Sequence, residues 1–189
     1  SALPALSIDM YLPAIPGMAE SLNAQISTIQ NSLSIFLLAF GFGMLFFGPL
    51  ADKYGRRPLA LFGLAGFGLA SLGLSFSSTA GEFLFFRFFQ GVLGSAATVV
   101  IPAIIRDCFG KDTAKGMSTV TMIMLTAPLV APLIGSVLLI FSDWRAIFLF
   151  LTGYSLIVFL FTLWNLPETL STESKTQKRS ILKNYLHIF

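Results

Sequence analysis

Charge is what this sequence has least of. Asp, Glu, Lys and Arg together make up 11% of its 189 residues, against about 25% in an average soluble domain. It has one Cys and one His, so neither a disulfide framework nor a zinc site has the ligands it needs. No phosphate-cradling glycine loop and no nucleophile triad is present, and enzyme chemistry has nowhere to sit. What fills the space is apolar: 55% of residues are hydrophobic, 20 of them Phe, and the mean hydropathy is +0.81. A body this small has too little interior to hide that surface from water, which excludes soluble enzymes and nucleic-acid binders. The solvent implied is lipid.

The charge-free stretches fall into lengths that fit a bilayer. No ionisable Asp, Glu, Lys or Arg occurs between Glu20 and Asp52, Arg57 and Glu82, Arg87 and Arg106, Lys115 and Asp143, or Arg145 and Glu168. A hydrocarbon core of about 30 Å takes roughly 20 apolar residues as helix. Spanning helices are therefore expected near residues 32–51, 58–78, 82–105, 116–140 and 145–166. Their apolar character runs all round, without the two-residue alternation of a barrel strand. The stretch from Ser1 to about Leu12 is too short to span, and it lacks the basic flank and cleavage site of a secretory signal. It reads as the remainder of a first helix that the chain enters part-way. The sum is an all-α, polytopic six-helix bundle over residues 1–166, followed from 167 to 189 by a polar linker.

The basic residues give the bundle a direction. Lys53, Arg56 and Arg57 follow the second helix, Arg106, Lys111 and Lys115 the fourth, and Lys175, Lys178, Arg179 and Lys183 the sixth. The opposite loops, Pro13 to Asn31, Ser77 to Gly81 and Phe141 to Trp144, have neither Lys nor Arg. Because positive loops stay inside, the first group is expected in the cytoplasm. The pI near 9.2 is then topology, with no nucleic-acid partner implied.

Two charged residues fall within spans, where an ionisable group is costly and is usually kept for function. Asp9 lies in Ser7-Ile8-Asp9-Met10-Tyr11-Leu12-Pro13 and Arg87 in Phe86-Arg87-Phe88-Phe89-Gln90-Gly91. A carboxylate near an arginine can switch protonation as water reaches it from either side, which is what coupling a proton to a substrate requires. The plainer readings are an idle interfacial carboxylate and an arginine snorkelling at the headgroups. Glu82 suits a helix N-terminus. Pro128, Pro132 and Gly135 put a kink in the fifth span, fixed or gating. Met117, Met122 and Met124 are compatible with an adaptable cavity and equally with lipid.

One loop is more specific. Gly48-Pro49-Leu50-Ala51-Asp52-Lys53-Tyr54-Gly55-Arg56-Arg57 resembles the signature of the major facilitator superfamily at the same place, between the second and third helices. Arg87-Phe88-Phe89-Gln90-Gly91 resembles the fourth-helix motif of proton-driven drug antiporters. The stretch from Ala127 to Ser136 resembles their fifth-helix motif in part, with Ala131-Pro132 and Gly135-Ser136 in place of a Gly-Pro and a Gly pair. Ser7-Ile8-Asp9-Met10-Tyr11-Leu12-Pro13-Ala14-Ile15-Pro16 is similar to the bicyclomycin-resistance (Bcr/CflA) branch of multidrug efflux transporters.

The resemblance implies the N-terminal half of a twelve-helix carrier, built of two inverted three-helix repeats. It implies drug:proton antiport by alternating access in an inner membrane, driven by the proton gradient with no cofactor or metal. The partners implied are hydrophobic drugs, protons, the lipid bilayer and a second six-helix half. Asp9 and Arg87 would couple proton and substrate. Gly48, Asp52, Gly55, Arg56 and Arg57 would gate the cytoplasmic side. Apart from the resemblance, Asp52-Lys53-Tyr54-Gly55-Arg56 and Asp107-Cys108-Phe109-Gly110-Lys111 share an acid, an aromatic, a Gly and a base, and Asp52 and Asp107 are expected to join one cytoplasmic charge network with Arg56 and Arg106. A carrier of a defined metabolite, or a six-helix subunit without transport activity, are the alternatives.

Overall fold

The computed structural model describes residues 2–166; the expected linker over residues 167–189 lies outside them. Among the described residues the regular structure is helical: α1 (Leu3–Asp9), α2 (Ile15–Ser21), α3 (Ile26–Tyr54), α4 (Arg56–Phe76), α5 (Ala80–Val99), α6 (Ile101–Phe109), α7 (Thr113–Phe141) and α8 (Arg145–Asn165), with single 3-10 turns at Leu12–Ala14 and Gly110–Asp112. Four stretches have the length and apolarity to cross a membrane: Ile26–Tyr54, Arg56–Phe76, Ala80–Phe141 and Arg145–Asn165. The third has 62 residues and holds two crossings, because the chain reverses at Gly110 (φ 49°) and α7 packs back on α6.

Several element ends differ from expectation, each for a local reason. The first segment is broken: Pro13 and Pro16 sit in the first turns of the 3-10 turn and of α2, where a missing N–H costs nothing but where no helix can continue through from α1. The expected loop from Pro13 to Asn31 is mostly helical, and α3 begins at Ile26, behind an extended Gln25. Once nucleated, the helix runs cheaply through the polar stretch Ser27–Ser32. The fourth span stops at Val99 and resumes as α6 at Ile101, since Pro102 denies the ladder a donor.

Other ends follow the residues directly. Gly55 has φ 106° and ψ 156°, a conformation open in practice to glycine alone, and α3 turns there into α4. Thr79 and Glu82 form a reciprocal capping box at the start of α5, so Glu82 holds the helix N-terminus as its position suggested. α7 passes through Pro128 and Pro132 without a break in helix.

α5 packs between α3 and α4, and α4 also lies along α8; α1 with its 3-10 turn crosses α7. The close contacts are made by small residues. A Cβ on Gly91 would lie 2.5 Å from the carbonyl oxygen of Phe36, so α3 and α5 touch backbone to backbone. Gly135 meets the Met10 carbonyl oxygen in the same way, seating α7 on the end of α1.

The polarity of the body is that of a protein in lipid. Leu38, Leu45, Phe42, Leu129, Ile140 and Phe141 are all exposed, whereas Arg87, Gln90, Ser7, Ser32, Ser71, Ser95 and Ser155 are buried. α3 and α7, at 29 residues each, reach about 43 Å, longer than the hydrocarbon core. The protein is a multi-pass membrane protein with a set of polar residues buried in its interior.

Candidate functional site

The break that ends α1 creates the site. Ser7 lies in the last turn of α1, among the carbonyls that a helix end leaves without a partner. Arg87, two turns into α5, supplies the donor: its Nη1 reaches the Ser7 carbonyl oxygen at 3.1 Å and Ser7 Oγ at 3.1 Å. The same nitrogen donates to Gln90 Oε1 at 2.9 Å, one turn along α5. Ser7 Oγ in turn donates to Gln90 Oε1 at 3.1 Å. Three groups from two helices thus close a triangle around one guanidinium nitrogen.

The triangle is tied further out. Gln90 Nε2 donates to Ser71 Oγ of α4 at 2.8 Å, and Ser71 Oγ donates to the Phe67 carbonyl oxygen at 2.8 Å. On the other side the Tyr11 hydroxyl lies 3.2 Å from Ser32 Oγ of α3. Residues from α1, α3, α4 and α5 meet in this one polar cluster.

Arg87 is 1% exposed, and its charge is answered by rings. The guanidinium carbon lies 4.0 Å from the centre of the Tyr11 ring, 5.0 Å from Phe148, 5.5 Å from Phe83 and 5.7 Å from Phe36. A desolvated cation over an aromatic face gains about 2 kcal/mol, while burying an ion costs several kcal/mol after relaxation. The cage and the hydrogen bonds to Nη1 therefore offset much of the penalty without removing it. Nε and Nη2 are buried and have no hydrogen-bond partner among the described residues. The snorkelling reading of Arg87 is corrected by this burial: the side chain points into the bundle.

Asp9 is not the partner of that charge. It stands two residues after Ser7 in α1, about 200° round the helix, and so faces away from Arg87. It is half-buried, and among the described residues it makes no hydrogen bond or ion pair.

The residues of the second-to-third helix loop gather at one end of the bundle. Gly48 sits in α3 beside Val99, Asp52 in the last turn of α3, and Gly55 makes the turn. Arg56 pairs with Asp107 of α6 and donates from Nη1 to the Ala103 carbonyl oxygen at 3.3 Å. Arg57 Nη2 donates to the Leu163 carbonyl oxygen of α8 at 2.8 Å. The loop is thereby pinned to two other helices. Arg106, expected in the same network, is exposed and has no ion pair among the described residues. Its neighbour Asp107 points about 100° away from it on α6, so Arg106 stands apart while Arg56 and Asp107 pair.

Pro128 is exposed and Pro132 half-buried, while Ala127, Ala131 and Gly135 are buried. The small residues, at four-residue spacing, form the face of α7 that packs on α1, and the prolines lie beside it. A cleft of about 280 Å³ opens between Pro13, Ala14, Gly17, Ser21, Leu139, Asp143 and Trp144; neither Asp9 nor Arg87 lines it.

Sequence reasoning singled out Arg87 but missed the residues that hold it. Ser7 and Gln90 lay inside the quoted strings without a role, and Tyr11 and Ser71 had none. The one signal available was Gln90 at three residues from Arg87, a spacing that puts both on one helix face.

The Major Facilitator Superfamily profile matches residues 1–189. The chain is 37% identical over 189 residues to a bicyclomycin resistance protein homolog of Haemophilus influenzae, covering 98% of this chain and 48% of that protein. It is 40% identical over 170 residues to a chloramphenicol resistance protein of Pseudomonas aeruginosa, covering 88% and 40%. With the multidrug resistance protein MdtL of Shewanella oneidensis the figures are 38% over 163 residues, covering 86% and 41%. Among solved structures, that of the human organic anion transporter MFSD10 (TETRAN) superposes with a TM-score of 0.70 at 21% identity, over 92% of this chain and 46% of that one. At that identity the likeness concerns the fold alone. The chain spans about half the length, or somewhat less, of the relatives it matches.

Proposed function

The chain belongs to the major facilitator superfamily, and on that premise we propose that it forms the N-terminal half of a carrier that exports drug-like molecules in exchange for protons. The cargo class rests on relatives named for resistance to bicyclomycin, chloramphenicol and multiple drugs. The proton coupling rests on one observation: a fully buried arginine holds the end of the α1 segment that carries Asp9. In this reading Asp9 takes up and releases the proton on one face of α1, while Arg87 grips the other face through the Ser7 carbonyl. A change of charge at Asp9 then alters how α1 sits against α5. The aromatic cage keeps water from the guanidinium, so its hydrogen bonds act at full strength.

The same reading places the Arg56 end in the cytoplasm of a bacterial inner membrane, by the distribution of basic residues. There the Arg56–Asp107 pair and the Arg57 contact on α8 hold the α3–α4 turn, and their breakage accompanies the switch between inward- and outward-facing states. The exposed apolar sides of α3 and α7 would meet lipid and a second six-helix half.

The test is drug-driven proton movement in proteoliposomes containing the full-length protein, with chloramphenicol as probe and a pH-sensitive dye inside. Asp9→Asn and Arg87→Ala are each expected to abolish the proton signal while the protein still inserts. A wild-type signal in both variants overturns the coupling mechanism.

A further inference from the structure

Ser71 lies in the C-terminal half of α4, outside every motif of the chain, and it is fully buried. Its hydroxyl hydrogen is already committed, since Oγ donates to the Phe67 carbonyl oxygen four residues back at 2.8 Å. Only its lone pairs remain, and one of them accepts from Gln90 Nε2 at 2.8 Å. That leaves Gln90 no choice of orientation. An amide presents an acceptor on one side and a donor on the other, so with Nε2 turned to Ser71 the oxygen must face Ser7 and Arg87. There Oε1 receives both Arg87 Nη1 at 2.9 Å and Ser7 Oγ at 3.1 Å.

The direction of one hydroxyl thus propagates through an amide to Arg87, a cation 1% exposed in the bundle interior. We propose that Ser71 is a positioning residue for Arg87: by holding Gln90 Nε2 it sets where Oε1 meets the guanidinium and so fixes the guanidinium against α1. The proposal rests on the reading of Arg87 as a coupling residue.

Without the Ser71 acceptor, Oε1 still faces Arg87 and Ser7, because a turned amide would set its N–H against the Nη1 N–H groups, two donors face to face. Nε2 is left buried without its acceptor, a costly state for a donor, and the amide shifts to find another, drawing Oε1 off Nη1. Arg87 then leans on the Ser7 oxygens and sits differently against α1. The loss of a hydrogen bond to a charged group predicts a coupled turnover about tenfold lower.

The test uses the full-length protein in proteoliposomes with chloramphenicol as probe, and compares Ser71→Ala, Ser71→Thr and Ser71→Ala on a Gln90→Glu background. Ser71→Ala is expected to lower the turnover of drug-driven proton release about tenfold, with KM for chloramphenicol unchanged and the pH profile displaced. Ser71→Thr keeps the hydroxyl and should restore both. On the Gln90→Glu background Ser71→Ala should cost almost nothing further, because a carboxylate has no N–H to be left without an acceptor. This last comparison also serves if Ser71→Ala alone inserts poorly. Wild-type turnover and pH profile in Ser71→Ala, or an equal loss on both backgrounds, overturns the positioning role. If Arg87→Ala is inactive in the same assay, that failure leaves the coupling reading standing; if Arg87→Ala is active, the coupling reading itself has failed.

Discussion

Arg87 Nη1 donates to the carbonyl oxygen of Ser7 at 3.1 Å, joining α5 to the last turn of α1 where the helix has no donor of its own to offer. The bond links two facts that stand far apart in the chain. Pro13 forces α1 to end, and an arginine about eighty residues later satisfies what that ending leaves open. Most buried arginines face a carboxylate; this one faces a helix end, a glutamine and four aromatic rings.

That arrangement distinguishes arginine from lysine at the site. A guanidinium spreads its charge over a plane that stacks on Tyr11 while one nitrogen serves three acceptors, and an ammonium cannot do both. Arg87→Lys should therefore insert normally yet lower drug-driven proton flux by about ten- to a hundredfold, corresponding to one or two charge-assisted hydrogen bonds. Flux measured beside the amount of protein in the membrane checks it. Flux equal to wild type would show that charge alone suffices.

How much of this was legible beforehand depends on the range of the interaction. The spans were readable because a missing charge over some twenty residues is a property of the stretch itself. So was the turn at Gly55 and the cap at Glu82, each decided within a few residues. Val100 is a miss of another kind: Pro102 stood in plain view, but the run of apolar residues around it argued for one unbroken span. The partners of Arg87 were beyond reach for a physical reason. Ser7 and Ser71 approach it only when α1, α4 and α5 pack, and a serine in a helix carries no local sign of what it will bind. The direction of Asp9 likewise follows from where Ser7 is held, which is a fact of tertiary structure.

The Arg56–Asp107 pair joins the α3–α4 turn to α6, with side chains 11% and 27% exposed. Reversing either charge alone leaves two like charges together and should lower thermal stability in detergent by about 1–2 kcal/mol. Exchanging them, Arg56→Asp with Asp107→Arg, should recover most of the loss. The Arg56 contact to the Ala103 carbonyl would not be rebuilt, so recovery is expected to be incomplete. No recovery would mean that the pair is incidental and that Arg56 acts through its other contacts, the Ala103 carbonyl among them.

The capping box at α5 offers a cleaner local test. Thr79 Oγ1 accepts from the Glu82 N–H at 3.2 Å and Glu82 Oε2 accepts from the Thr79 N–H at 3.3 Å. Thr79→Ala should destabilise the protein by about 1 kcal/mol with transport unchanged, since the cap lies at the far end of α5 from the turn into α6. Denaturation in detergent alongside transport assays measures both. A loss of transport without a loss of stability would place this end of α5 in the working machinery.

The seat of α7 on α1 rests on one missing methyl group. Gly135 lies against the Met10 carbonyl oxygen, where a Cβ has no room and backbone is the obstacle. Ala131, one turn earlier, is fully buried on the same face, so α7 cannot back away without opening that contact too. Gly135→Ala should therefore push α7 from the α1 end and cost about 1–3 kcal/mol, the range of overpacked cores. Gly153→Ala, on α8 where a Cβ meets nothing within 4 Å, should cost nothing or slightly stabilise its helix. Thermal unfolding of the two variants in the same detergent compares them directly. Because Met10 follows Asp9, the displaced α7 should also disturb proton-coupled export more than its stability loss explains, and the ratio of flux to folded protein reads that excess. An unchanged ratio would confine Gly135 to packing.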